Sequence, residues 1–255
     1  MPDITRRNWV AQCGLLSAAV PRFAPSDTVR EHVIARDRRL RVVVVGAHPD
    51  DPESSCGGTM SRYADLGHEV VAVYLTRGEA GIKGKTAEEA ATIRTAEAER
   101  ACQILKARPC FAGQVDGKTE VNARRYQEFT ELIERQKPDV MFAPWPIDSH
   151  RDHRAASLLS YDVWEQGGRR FELYYTEVDL GEQTSNFQPT HYVDITPVLE
   201  RKRQACLAHI SQDPGSFYGQ YHEPMQRFRG MEYRCQAAEA FVSALGNPRS
   251  CSLPG

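Results

Sequence analysis

Four consecutive valines, Val42 to Val45, make a short apolar run without alternation, the pattern of a strand buried on both faces, here Arg41 to Val45. Glu69 to Leu75 reads as a second strand of this kind, and the segment from Thr59 to Leu66 between them reads as a helix closed by Gly67-His68. Thr86 and Glu89 have capping-box spacing and open a helix to about Leu105, with Ile93, Ala96, Ala101, Ile104 and Leu105 on its apolar face. The alternation continues through a strand at Ala107 to Ala112, a helix from Asn122 to Gln136, a strand at Val140 to Ala143 and a helix from Arg154 to Trp164. Beyond this point the pattern is less regular. Phe171 to Val178 and His191 to Ile195 read as strands, and Pro197 opens a helix to about Ser211. Gln212 to Arg229 reads as loop and Cys235 to Leu245 as a closing helix. Strands alternating with helices predict a largely parallel sheet covered on both faces.

Polar residues concentrate where two of these strands end. His48, Pro49, Asp50, Asp51 and Glu53 follow the valines, and Asp148-Ser149-His150-Arg151-Asp152-His153 follows Val140 to Ala143. In an open α/β sheet, ligands bind in the crevice beyond the carboxyl ends of the strands. Imidazoles and carboxylates gathered there call for a cationic partner, and a divalent metal is the simplest. A catalytic zinc takes three protein ligands and keeps one position open, and two histidines with a carboxylate make such a set. Water on that metal has its pKa lowered to about 7, and a carboxylate outside the ligand set can shuttle its proton. The residues alone leave open which carboxylate does which. The turn at Gly46 lacks G-x-G-x-x-G, which argues against a dinucleotide site.

Composition narrows the classes further. A formal net charge of −2 with no long basic run argues against nucleic-acid binding. Seven cysteines without a C-x-x-C pair argue against a structural zinc knuckle and a dense disulfide scaffold. Thr5-Arg6-Arg7-Asn8-Trp9-Val10 resembles the twin-arginine export motif. The weakly apolar stretch from Trp9 to Val20 is too short to span a bilayer but suits a signal-peptide core. The expected organisation is a leader and linker at 1–37, one domain at 38–246 and a tail at 247–255. Export to the periplasm without a stable membrane anchor is expected, a cytoplasmic location being the alternative.

Gly46-Ala47-His48-Pro49-Asp50-Asp51-Pro52-Glu53 matches the AHPDDxE signature of the PIG-L (LmbE-like) metal-dependent N-deacetylases. Pro146, Asp148, His150, Asp152 and His153 meet that family's second signature, P-x-D-x-H-x-D-H. Weaker features recur in order: Thr76 to Gly81, Arg94 with Glu97, Asp116-Gly117, Val193 to Thr196, Lys202, Ser211-Gln212, and Ala238 to Phe241. The resemblance extends over about residues 40 to 245. It implies a three-layer α/β/α sandwich with a Rossmann-like, mostly parallel sheet, and a metal, Zn2+ or another divalent ion such as Fe2+, held by His48, Asp51 and His153. It gives Asp50 the role of general base and later acid. It makes His150 the oxyanion donor, oriented by Asp152, and assigns Arg94 and Asp116 to substrate binding. The implied substrate is a small N-acetylated sugar of glucosamine type, and a homo-oligomer is left open. Arg151 stands where many relatives have proline, and Asp148 where some have a mobile tyrosine. Two other classes compete: a carbohydrate-binding protein with a vestigial metal site, and a non-haem iron oxygenase built on two histidines and one carboxylate.

Overall fold

The computed structural model describes residues 38–178, 183–245 and 253–254. The expected leader with its twin arginines lies outside the described residues, as does most of the expected tail.

The valine run forms β1 (Arg41–Gly46), with Val42 to Val45 all buried. Alternate side chains of a strand point to opposite faces. Val42 and Val44 accordingly pack with Cys56, Met60 and Tyr63, whereas Val43 and Val45 pack with Phe129, Leu159 and Trp164. Burying one such side chain contributes about 1.5–3 kcal/mol, so this strand anchors both layers at once.

The remaining strands are β2 (Glu69–Tyr74), β3 (Arg108–Phe111), β4 (Val140–Pro144), β5 (Glu172–Thr176), β6 (His191–Asp194) and β7 (Ala238–Ser243). They form one seven-stranded sheet in the order β3-β2-β1-β4-β5-β7-β6. The pairs from β3 through β5 are parallel, and β7 runs antiparallel to both β5 and β6. The main helices are α1 (Asp51–Asp65), α2 (Ala87–Leu105), α3 (Ala123–Gln136), α4 (Arg151–Gln166) and α5 (Leu199–Leu207). The first, second and fifth cover one face of the sheet, and α3 and α4 cover the other. A parallel α/β sandwich is not the jelly roll in which two-histidine oxygenase sites usually sit. Among the described residues no helix is long and apolar enough to cross a membrane.

The later elements depart from expectation for identifiable reasons. The helix expected from Thr59 begins at Asp51, because Pro52 occupies a first-turn position that tolerates its missing N–H. The helix expected from Arg154 likewise begins at Arg151. The segment at 197–211 is interrupted, with 3-10 turns at Thr196–Val198 and Ile210–Gln212 on either side of α5. Gln212 to Arg229 is not loop. It forms a short helix α6 (Pro214–Phe217), a π turn (Tyr218–His222) and α7 (Glu223–Tyr233), with Pro214 and Pro224 at helix starts.

The expected closing helix at Cys235 to Leu245 is instead β7. Glu239, buried on that strand, accepts from the backbone N–H groups of Gly58 (2.8 Å) and Thr59 (2.7 Å) and from Lys202 Nζ (2.7 Å). These bonds tie β7 to α1 and α5. The approach leaves no room at Gly58, where an added Cβ would lie 2.6 Å from Ile195 Cβ. Gly58→Ala is therefore expected to destabilise by about 1–3 kcal/mol through overpacking, more than the ~1 kcal/mol that better helix propensity returns. A lower denaturant midpoint at unchanged m would show it, and an unchanged midpoint would contradict the close packing.

Candidate active site

Sheet order reverses direction between β1 and β4, the place where open α/β sheets form a ligand crevice. Both polar clusters leave the sheet there, His48 to Glu53 after β1 and Asp148 to His153 after β4. Together they line one cavity of about 520 Å³.

Asp51 Oδ2 is the centre of this arrangement. It accepts from the backbone N–H groups of Ala47 and His48, each at 2.8 Å, which pins the turn after β1. The same oxygen lies 3.4 Å from His48 Nδ1 and 3.3 Å from His153 Nε2. The opposite nitrogen of each ring is held by carboxylates. His48 Nε2 stands 3.2 Å from Asp116 Oδ1 and 3.3 Å from Asp152 Oδ2, and His153 Nδ1 stands 3.0 Å from Asp148 Oδ2. Carboxylates behind imidazoles fix ring orientation in metal sites.

Burial opposes charge on both rings, yet the carboxylates prevail. His153 is pushed up to about 10, and His48 is raised well above its ordinary value. Burial likewise opposes charge on Asp51, but His153 and His48 hold it well below the usual carboxylate range. The positive charge drawn to this spot is what a divalent metal would carry, and two imidazoles with one carboxylate are a donor set that zinc and its neighbours accept. The residues fit a metal.

Distance alone also admits a different third ligand, since one nitrogen each of His48, His150 and His153 falls within 4.8 Å of the others. His150 differs from Asp51 in being exposed, and its Nδ1 accepts the Asp152 N–H at 3.3 Å as the cap of α4. That bond assigns the ring proton to Nε2, leaving a donor free. Partial desolvation at the cavity mouth, with the like charges of His48 and His153, lowers the His150 pKa and favours the neutral ring.

Asp50 stays outside the ligand group. Its backbone is left-handed, φ 118° and ψ −31°, an uncommon conformation for a residue with a side chain. Arg94 holds it there, Nη2 donating to Asp50 Oδ2 at 2.8 Å and also to the Pro49 carbonyl. Burial raises the Asp50 pKa although Arg94 pulls against it. Gly78 and Gly81 make way for the guanidinium; a Cβ on Gly78 would lie 2.5 Å from Arg94 Cδ.

Asp152 meets His150 through its backbone N–H and turns its carboxylate elsewhere. It is fully buried and binds His48, the Gly117 N–H (2.7 Å) and Thr119 Oγ1 (2.6 Å), so only its backbone amide touches His150. Arg94 and Asp116 line the cavity, but Arg94 is bonded to Asp50, and Asp116 to His48 and the Ala80 N–H. Two residues were not assigned a role from sequence. Asp148 is buried against His153 and accepts the His150 N–H at 2.7 Å. Glu79 Oε2 accepts from the amides of Arg77 (3.2 Å) and Asp116 (3.0 Å), joining the loops that carry Arg77 to Gly81 and Asp116-Gly117. The signature places Asp148 at the site, and Glu79 falls within the family-like loop Thr76 to Gly81 that leaves β2 at the same sheet edge.

Residues 43–164 match the family model described as PIG-L: GlcNAc-PI de-N-acetylase. The diacetylchitobiose deacetylase of Thermococcus kodakarensis is 29% identical over 220 residues, covering 80% of this chain and 82% of that one. The 1D-myo-inositol 2-acetamido-2-deoxy-alpha-D-glucopyranoside deacetylase of Corynebacterium diphtheriae is 26% identical over 154 residues, 49% of this chain and 53% of the relative. Among solved structures, a conserved protein of Thermus thermophilus superposes with a TM-score of 0.72 at 29% identity, over 82% of this chain and 96% of that one. Residues 43–164 of this chain thus carry a PIG-L (LmbE-like) domain.

Proposed function

We propose that this protein is a metal-dependent hydrolase that removes the N-acetyl group from a glucosamine-type sugar, releasing acetate and a free amine. The observation that carries the reading is Asp50, a carboxylate kept out of the His48/Asp51/His153 group by its left-handed backbone and by Arg94, yet facing the same cavity. The relatives whose names specify acetylated glucosamine units support the sugar. Zinc is our choice of ion because the donors are two imidazoles and one carboxylate.

A divalent metal held by His48, Asp51 and His153 supplies Lewis acidity and lowers the pKa of water to about 7. Asp50 takes a proton from the attacking water and returns it to the departing nitrogen. His150 donates its Nε2–H to the oxygen on which charge develops at the amide carbonyl. Asp152 and Asp116 keep His48 in its pose, and Asp148 does so for His153. Asp148, bonded to two histidines, supplies no hydroxyl to the oxyanion, so His150 carries that role without a tyrosine from this position.

Protein loaded with Zn2+, and separately with Fe2+, should release free amine and acetate in equal amounts from N-acetylglucosamine or N,N′-diacetylchitobiose. Tight binding of these sugars without amine release under either metal would favour a carbohydrate-binding protein instead. Arg94→Ala should leave metal content unchanged and lower kcat by about 10–100-fold, as a base freed from its aligned pose predicts. A rise in KM alone would make Arg94 a substrate contact only.

A further inference from the structure

His209 takes no part in the chemistry above. It follows α5, is 1% exposed and lines the same cavity as Asp50. Among the described residues neither of its ring nitrogens has a hydrogen-bond partner. Nε2 stands 3.6 Å from Glu53 Oε2, which accepts no hydrogen bond, while Glu53 Oε1 accepts the Tyr74 hydroxyl at 2.5 Å. Buried polar atoms left unmatched are costly, and native structures keep few of them. The segment does not depend on the ring for its place. Ser211 donates through both N–H and Oγ to Glu97 at 2.7 Å, and Gln212 Nε2 donates to the Gly81 carbonyl at 3.2 Å. An imidazole that lines the cavity, with Nε2 beside Glu53 and Nδ1 unmatched, is positioned to read a ligand.

Resting on the deacetylase reading, we propose that His209 is a specificity-determining residue that hydrogen-bonds a neutral hydroxyl of the substrate, with Glu53 orienting its ring. A hydroxyl both donates and accepts, so it suits Nδ1 in either tautomer. A phosphate or carboxylate at this point is disfavoured by the carboxylates of Glu53, Asp50 and Asp51, and the guanidinium of Arg94 is already bonded to Asp50.

The test measures kcat/KM of zinc-loaded wild type, His209→Ala and Glu53→Gln on N-acetylglucosamine and its 3-, 4- and 6-deoxy analogues. One deoxy analogue should lose about a hundredfold or more with wild type, as for sites built to bind a hydroxyl. On that analogue His209→Ala should cost little further, while on the parent sugar it should cost a comparable factor. Glu53→Gln should reproduce the pattern more weakly. A uniform fall over all four sugars would make His209 structural and overturn the inference, leaving the deacetylase reading intact. Absence of turnover by wild type on every sugar would instead sink the reading beneath it. If His209→Ala does not fold, His209→Gln and the wild-type deoxy series decide, since equal turnover of all analogues also overturns the proposal.

Discussion

Asp50→Asn is expected to retain its metal and to lose about two to four orders of magnitude in kcat, the range for removal of general acid–base help. The substitution is nearly isosteric and keeps an oxygen for the Arg94 bond that now spans 2.8 Å. It also removes no atom from the group centred on Asp51 Oδ2. What it removes is the capacity to take and return a proton. Metal content and kcat measured on one preparation decide the matter. A variant that comes out metal-free would place Asp50 among the ligands, and one that keeps near-normal kcat would remove it from the chemistry.

The centre of the fold and most of the site were legible because each was written locally. An unbroken apolar run with polar residues close behind it signals both a buried strand and the crevice at its end, and β1 and β4 each carry that pattern. What could not be read depends on partners distant in sequence. Glu239 interrupts an alanine-rich segment whose composition favours a helix. Its actual partners, the amides of Gly58 and Thr59 and the ammonium of Lys202, come from elements that meet only in the folded chain. Gln212 to Arg229 reads as loop, yet Pro214 and Pro224 within it begin helices. Within the site, Asp152 pairs with His150 through its backbone rather than its carboxylate for a geometric reason. On an extended segment residues two apart share a side, but at a helix start they diverge by about 200°. Asp152 therefore turns inward to His48, while His150 stays at the surface. Arg94 matches one of the weaker family features, but its reach to Asp50 depends on two glycines of another loop that leave it space.

The identity of the third ligand sets the last expectation. His48→Ala, Asp51→Ala and His153→Ala should each lose metal affinity beyond the about 10–100-fold that removal of an orienting partner costs. Asp148→Ala should fall within that range, because His153 keeps its Nε2 but loses the carboxylate 3.0 Å behind its Nδ1. Asp51→Ala carries an additional effect, since the amides of Ala47 and His48 lose their common acceptor. Leaving such buried donors unmatched costs about 1–3 kcal/mol each, so this variant should melt below metal-free wild type even with a chelator present. His150→Ala should bind metal as tightly as wild type and lose kcat by about a hundredfold or more, as loss of an oxyanion donor does. Competition against a chelator, run on all five variants, gives the affinities. His48, His150 and His153 also have nitrogens close enough to form a ligand group. If His150→Ala lost the metal while Asp51→Ala held it, the site would be a three-histidine centre. Asp51 would then be a turn-pinning carboxylate, and a different donor would have to face the oxyanion.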